Sequence, residues 1–205
     1  MAEARAGRRL PRRLIQLYAG LVVFAVGEAL IVRAGLGVIP WDVLHQGLVR
    51  QVGLSIGTWS IIVGLVVLLS WIPMRERPGL GTVSNVLVIG ATLDQVLRVL
   101  PAPGPLPLRI GYLLVGVLLN GVATAAYIGA RLGPGPRDGL MTGLVRLTGR
   151  SVRLVRTSIE VVVVLVGWIL GGNLGVGTVL FALAIGPVIH LFLPRLTVGG
   201  AVRDS

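Results

Sequence analysis

The sequence contains no cysteine and no lysine, and charged residues make up only 13% of its 205 residues. Without cysteine, disulfides, zinc–thiolate sites, iron–sulfur clusters and cysteine nucleophiles are excluded. The only histidines are His45 and His190, and no HExxH, GxSxG or Walker-type motif occurs. We therefore expect no metal site, no cofactor, no catalytic residue and no enzymatic activity.

Apolar residues dominate what is present, at 54% of the chain with a mean hydropathy of +0.89. Soluble chains are typically about 45–50% apolar and about 25% charged. The composition therefore indicates a small all-α integral membrane protein whose partner is the lipid bilayer. The net charge of +11 comes from arginines that lie mostly at the edges of apolar runs. This placement is typical of membrane orientation, so we expect no nucleic-acid partner.

Six apolar runs are candidates to cross about 30 Å of hydrocarbon as helices. They cover residues 14–32, 56–74, 80–97, 110–130, 157–170 and 174–193. The first run follows a basic arm, as in a signal peptide, but it is long for one and has a counterpart in mid-chain. We predict that it is a retained span. The run at 157–170 is short unless it begins near Val152, which adds Arg153 and Arg156 to its first turns.

Two shorter helical stretches, residues 41–52 and 137–148, each follow a segment rich in Gly and Pro. They are too short and too polar to span a bilayer alone. They are either re-entrant half-helices or amphipathic helices that lie in the membrane interface, and the sequence does not decide between the two.

The chain also contains an internal repeat at an offset of 96 residues. Over residues 15–95, 26 of the 81 aligned pairs are identical, including Pro40 with Pro136 and Asp42 with Asp138. A shared bias toward Leu, Val and Gly does not explain matching Pro, Asp, Arg, Ser and Thr in one register. The pattern predicts two structurally related halves.

Arginine placement predicts that the two halves are inverted. The first half has Arg-Glu-Arg at 75–77 where the second has Gly-Gly-Asn at 171–173, while the second is richer in arginine around 146–156. Segments with swapped arginine content face opposite sides of a membrane. We therefore expect a basic cytoplasmic arm (1–13), a first three-span repeat (14–100), a Pro-rich connector (101–109), a second repeat (110–194) and a cytoplasmic tail (195–205).

Several motifs resemble a known family. The segment GLGVIPWDVL at 35–44 and the segment GPGPRDGLM at 133–141 are similar to the two signatures of the YczE/YyaS/YitT family of bacterial integral membrane proteins. RTSIE at 156–160 and GWILGG at 167–172 extend the resemblance, which is greatest to the YczE-type branch. It implies a multi-pass protein of the bacterial plasma membrane. It implies no settled activity and brings no catalytic residues.

Two aspartates are candidate ligand-binding residues. Asp42 and Asp138 each follow a proline by two positions, where an Asp can cap a helix. If the short helices are re-entrant, their N-termini would instead meet near the midplane and attract an anionic group. Arg137 would add a positive charge for a carboxylate or phosphate. Its counterpart in the first half is Trp41, so the site would be asymmetric.

Further candidates are charged residues inside a predicted span or in its first turns, where ionisable groups are costly and often functional. Glu28 is a candidate proton- or cation-contacting carboxylate. Arg156 and Glu160 are four residues apart on one helical face, so we expect them to form an ion pair, with membrane anchoring as the alternative role.

The stripe Gly121-x3-Ala125-x3-Gly129 allows close helix packing. We expect it to join the two halves, with a homodimer face as the alternative. The inverted repeat and the intramembrane acids favour a small permease or channel-like transporter of a small solute. The alternative is a non-transporting membrane factor that supports or regulates a partner protein.

Overall fold

The computed structural model describes residues 10–198. The start of the basic arm, residues 1–9, and most of the tail, residues 199–205, lie outside this range. The described part contains eight helices and no strand. They are α1 (Leu10–Ala34), α2 (Pro40–Val52), α3 (Ile56–Met74), α4 (Leu80–Val99), α5 (Leu106–Gly129), α6 (Pro136–Thr148), α7 (Val152–Ile169) and α8 (Val176–Leu196).

Five of these helices, α1, α3, α4, α5 and α8, are long and apolar enough to cross a membrane. The all-α membrane class is therefore confirmed over residues 10–198. The predicted run at 157–170 lies within α7, which does begin at Val152. Because that start brings three charged residues into an 18-residue helix, α7 is not among the five, and the sixth span stays a prediction.

Helix boundaries follow from local chemistry at corresponding places in the two halves. Both short helices begin with a proline, which suits the first helical position because it has no N–H to leave unpaired. Ser55 accepts the Thr58 N–H at 3.1 Å to start α3, and Ser151 accepts the Leu154 N–H at 3.3 Å to start α7. Gly149 ends α6 with φ of 64°, in the left-handed region that glycine adopts freely.

The centre of the bundle is the antiparallel pair α1 and α5. Arg13 Nε donates to Ala130 O at 2.7 Å, Asn120 Nδ2 to Phe24 O at 2.9 Å, and Arg109 Nε to Ala34 O at 2.7 Å. The residue numbers on α5 fall as those on α1 rise, so the two helices run in opposite directions. Gly27 and Gly116 lie where the two backbones touch.

The other spans have directions fixed by their contacts with this pair. Tyr18 OH lies 3.2 Å from Ser84 Oγ, and Arg33 donates to Leu97 O, so α4 runs parallel to α1. Gly57 N donates to Asp94 Oδ1 at 2.8 Å, so the start of α3 lies at the end of α4 and the two are antiparallel. We call the end of the bundle where α1 begins the proximal end and the opposite one the distal end. The α3–α4 loop is proximal, and the α4–α5 connection is distal.

Contacts recur between positions that are 96 residues apart. The Arg13–Ala130 bond has its counterpart in Arg109–Ala34. The backbone bond from Gly81 N to Leu132 O, at 2.8 Å, has its counterpart in the bond from Gly177 N to Leu36 O, at 2.7 Å. In each case, adding 96 to the residue number of the donor and subtracting 96 from that of the acceptor gives the corresponding pair.

The short helices are also exchanged between the two halves of the sequence. Helix α6 packs on α3, where Trp71 Nε1 donates to Pro136 O at 3.1 Å and Gly139 lies against the Trp71 ring. Helix α2 packs on α7, where Gly47 lies against the backbone at Gly167. Each short helix therefore leans on a long helix from the other half.

The small-residue stripe of α5 does not pack as the sequence predicted. Gly121 lies against Val188 and Gly129 against the backbone at Leu196, so the stripe packs α5 onto α8 within the second half. The close contact between the halves is made by other small residues, Gly20, Gly27 and Gly116. The prediction was wrong because α5 contacts two helices, and the stripe alone does not show which one each face meets.

Candidate binding site at the bundle centre

The first turns of α2 and α6 lie inside the bundle and meet there. Trp41, Asp42 and His45 are buried, and the Arg137 guanidinium lies 4.6 Å from the centroid of the Trp41 ring. Helices that lie flat on a membrane surface would keep their first turns at the periphery. The N-termini of both short helices thus lie in the interior of the bundle and not at its periphery.

Neither aspartate is the N-cap residue of its helix; these are Ile39 and Gly135. The Asp138 carboxylate nevertheless lies against the Gly135 N–H, so the capping prediction holds in part for Asp138 and is wrong for Asp42. Because a proline occupies the first helical position, the aspartate two residues later is already the third residue of the helix. Asp42 instead contacts His45, with 2.9 Å between Oδ1 and Nδ1. Its Oδ2 has no hydrogen-bond partner among the described residues.

Glu28 lies beside this pair and is only 1% exposed. No N–H or hydroxyl group within residues 10–198 donates to its carboxyl oxygens, and the side chain within hydrogen-bonding reach of it is the Asp42 carboxyl. A buried carboxyl with so few partners costs free energy, because it has left water without a full replacement for its hydrogen bonds. Glu28, Asp42 and His45 thus form a polar cluster at the contact of α1 and α2, with several atoms still able to bind a further group.

Two cavities adjoin the meeting point of the short helices. Cavity A measures about 90 Å³ and cavity B about 280 Å³. The residues that line both are three aromatics and two charged groups: Phe24, Trp41, Tyr127, Arg137 and Asp138. The stack of Arg137 on Trp41 therefore belongs to the wall between the cavities.

The remaining walls are built from corresponding positions of the two halves. Cavity A is closed by α3 and α4, with His45 as a further polar residue; cavity B is closed by α7 and α8. Ser60, Gly64 and Asn85 line cavity A, and the positions 96 residues later, Arg156, Glu160 and Phe181, line cavity B. The two cavities are similar in location but differ in chemistry.

Arg156 and Glu160 form the ion pair that the sequence predicted, with 3.2 Å between Nε and Oε1. Their side chains are 56% and 37% exposed in the helical bundle. The pair therefore lies at the rim of cavity B and not in the protein interior. Its two charges already satisfy each other.

Four of the six predicted site residues share one cavity. Arg137, Asp138, Arg156 and Glu160 line cavity B. Asp42 reaches cavity A only through His45, and Glu28 lines neither cavity. The structure thus brings all six into one central region but divides them between a cavity wall and a buried cluster behind it.

Residues 11–194 match the sequence profile of a family of unknown function (DUF6198). The chain belongs to this family. It is 44% identical over 173 residues to an uncharacterized protein of Haemophilus influenzae (strain ATCC 51907 / DSM 11121 / KW20 / Rd), covering 84% of this chain and 79% of the relative. It is 36% identical over 180 residues to the uncharacterized membrane protein YczE of Bacillus subtilis (strain 168), covering 87% and 84%.

The uncharacterized protein YyaS of the same Bacillus strain is 27% identical over 179 residues, covering 85% of this chain and 89% of the relative. No solved structure matches. The resemblance to YczE- and YyaS-type proteins that the two Pro-x-Asp segments indicated is thereby confirmed.

Sequence reasoning missed several polar residues that line the cavities, and the most deeply buried of them is His45. It is 1% exposed, lines cavity A, and its Nε2 has no hydrogen-bond partner in the described part of the chain. A signal was available in the sequence, because His45 follows Asp42 by three residues and i, i+3 side chains share one helical face.

Proposed function

We propose that this DUF6198 protein is a small permease that moves a small solute across the bacterial plasma membrane. The observation that carries the proposal is the position of Arg137 and Asp138. Both lie at the meeting point of two half-helix N-termini and both line two cavities on opposite sides of that point. Secondary transporters bind substrates near the midplane at discontinuous helices of this kind.

We further propose that the chain is built as two inverted three-span repeats, each with a re-entrant helix after its first span. Support comes from the antiparallel α1–α5 pair and from the contacts exchanged at an offset of 96. Trp41 and Arg137 are themselves 96 residues apart and in contact. Contact between corresponding positions is expected on a two-fold axis, which here would lie in the membrane plane.

The proposed orientation has both termini in the cytoplasm. Arginines near the proximal end are Arg12, Arg13, Arg75, Arg77, Arg131, Arg146, Arg150, Arg153 and Arg195, and those near the distal end are Arg33, Arg50, Arg98 and Arg109. An excess of basic residues marks the cytoplasmic side. The proximal end, where α1 begins and α8 ends, is therefore assigned to the cytoplasm.

Helix α7 is proposed as the sixth span in this arrangement. Its arginines lie in its first turns, near the proximal end, where long side chains can extend to the aqueous interface. Exposed apolar side chains on α3, such as Val66, Leu69 and Ile72, would face lipid.

A non-transporting membrane factor is the second candidate function. The observation in its favour is that Glu28 and Asp42 contact no cavity and that cavity A, at about 90 Å³, holds only a few water molecules. In that case the charged centre would serve to hold the two halves in one arrangement, and a partner protein would act on the outer surface.

Two measurements test the permease. Untargeted metabolite profiling of bacterial cells with and without the protein first identifies a solute whose distribution changes. Uptake of that solute is then measured in liposomes containing purified protein. We expect uptake by the wild type and by Arg98→Gln, an exposed arginine away from the centre, and its loss in Arg137→Gln. Equal solute distributions in both cell types, with no uptake in liposomes, would favour the membrane factor.

A further inference from the structure

The chemistry of the five residues that line both cavities points to the class of solute. We propose that the ligand is a small zwitterion, with its carboxylate on Arg137 and its ammonium group on Asp138 against an aromatic wall. This inference rests on the proposed function, since it identifies the solute of the same site.

Arg137 supplies an available cation. Its guanidinium forms no ion pair and no hydrogen bond with another residue in the range 10–198; its one assigned contact is the Trp41 ring. The Asp42 and Glu28 carboxyls lie near enough to act on its charge, but no side chain in that range holds its N–H donors. A guanidinium binds a carboxylate through two parallel hydrogen bonds, and the two helix N-termini add partial positive charge.

Asp138 supplies the opposite charge one residue further along α6. Its carboxylate enters no ion pair in the described chain, although Arg137 is its neighbour in sequence. The arginine points toward Trp41, while the carboxylate remains part of both cavity walls. Cavity A is thus bordered by one cation and one anion that form no ion pair with each other, and cavity B has the same two groups together with the Arg156–Glu160 pair.

His45 gives an independent indication that something polar binds here. It is almost completely buried and lines cavity A, and its Nε2 has no partner among residues 10–198. Buried side-chain nitrogens in native proteins nearly always have a hydrogen-bond partner. With Nδ1–H donating to Asp42 Oδ1, Nε2 of the uncharged ring is an acceptor. A water molecule that also contacts a carboxylate held by Arg137 would donate to it.

The aromatic wall suits an ammonium group. Phe24, Trp41 and Tyr127 line both cavities, and the Phe24 and Tyr127 rings lie edge to face with centroids 6.5 Å apart. Aromatic faces attract ammonium ions, and several faces around one site bind alkylated ammonium groups. The chain has only 3 Phe, 4 Trp and 3 Tyr, so three at one site is a considerable concentration.

A ligand with a single charge would fit this site less well. An anion on Arg137 would lie beside the Asp138 carboxylate, and a cation on Asp138 would lie beside the guanidinium. Each would leave one charge unpaired in a poorly solvated place, which is costly. A zwitterion pairs both charges and brings no net charge across the membrane.

Ligand selectivity of the purified wild-type chain tests this proposal directly. Binding to the full-length protein in detergent is measured by titration calorimetry, with tryptophan fluorescence as a second readout because Trp41 lies at the site. The probes are glycine and its trimethylated form, glycine betaine. Sodium acetate and tetramethylammonium chloride carry the two charges separately and are used at matched ionic strength.

We expect saturable binding of at least one zwitterion and binding at least tenfold weaker for both single-charge probes. Arg137→Gln and Asp138→Asn should each weaken zwitterion binding tenfold or more. Arg98→Gln should leave it unchanged. The melting temperature of each variant shows whether it is folded. The comparison of the four probes on the wild-type protein remains valid even if a variant does not fold.

Other results would overturn the proposal. Acetate that binds as tightly as the zwitterions would make this an anion site, and equally tight tetramethylammonium would make it a cation site. No binding of either zwitterion to folded wild-type protein would refute the inference. If neither zwitterion binds but a different solute is taken up, the proposed permease function stands and only the solute class is wrong. If a zwitterion binds but is not taken up, the proposed binding site stands and the permease function is wrong.

Discussion

Replacing Gly27 by alanine is a sharp test of the α1–α5 contact. A Cβ at this position would lie 2.9 Å from the Gly116 carbonyl oxygen, 3.1 Å from Asn120 N and 2.5 Å from Asn120 Nδ2. The side-chain amide of Asn120 could rotate away, but the backbone atoms Gly116 O and Asn120 N can move away only if a whole helix moves. A comfortable C···O contact begins at about 3.4 Å, so α1 must shift by roughly 0.5 Å.

The cost follows from that shift. Forcing a methyl group into a packed contact typically costs about 1–3 kcal/mol. The hydrogen bond from Asn120 to Phe24 O lies at the same place and is displaced, which adds about 0.5–1.5 kcal/mol. We therefore expect Gly27→Ala to lower the free energy of unfolding by about 2–4 kcal/mol.

The matched control is Gly111→Ala on α5, where a Cβ would meet no atom within 4 Å. There alanine should stabilise the helix by about 0.5–1 kcal/mol, because glycine loses more backbone entropy on folding. Both variants are unfolded in detergent micelles by an SDS titration followed by circular dichroism. If Gly27→Ala unfolds at the wild-type midpoint, or is stabilised as much as the control, the close α1–α5 contact described above is wrong.

Three further predictions concern topology and the centre. Cysteines introduced at Arg75 and Gly172 should react with a membrane-impermeant maleimide from opposite sides; labelling from one side would contradict the inverted arrangement. Asp42→Ala should destabilise by about 1–3 kcal/mol, since it leaves His45 buried with neither ring nitrogen paired. Asp138→Ala should cost less, about 0.5–1 kcal/mol, since it loses only the carboxylate contact with the Gly135 N–H at the start of α6. Equal losses in thermal melts would show that the two aspartates have equivalent surroundings. A double-mutant cycle on Arg156→Gln and Glu160→Gln should give a coupling free energy of unfolding of only about 0.2–0.5 kcal/mol, as for other exposed i, i+4 pairs. A coupling of several kcal/mol would mean that the pair is buried.

The sequence predicted helix positions well because Pro and Gly mark the boundaries. The run at 56–74 coincides with α3, and the short stretches at 41–52 and 137–148 begin one residue after the prolines that open α2 and α6. Hydropathy was less decisive for α7. Its apolar run at 157–170 is short, and the five residues that extend it toward the N-terminus include Arg153 and Arg156.

The centre was predicted only in part. Glu28, Asp42 and Arg137 were found because charged groups are unusual beside apolar runs. Counting from the proline places both aspartates at the third residue of a helix and not at its N-cap, which the capping prediction had not taken into account. The stack of Arg137 on Trp41 could not be foreseen, because an offset of 96 shows that two positions correspond and says nothing of whether they touch.

That stack has a consequence for how such a protein could arise. In a homodimer of one half, a residue at the symmetry axis meets its own copy, so the same position would bring together two arginines or two tryptophans. Two guanidinium groups about 4 Å apart repel by roughly 4 kcal/mol even at a surface-like dielectric, and two indoles would offer no charge to a ligand. Joining both halves in a single gene removes this restriction. One half can then carry the cation and the other the ring that supports it.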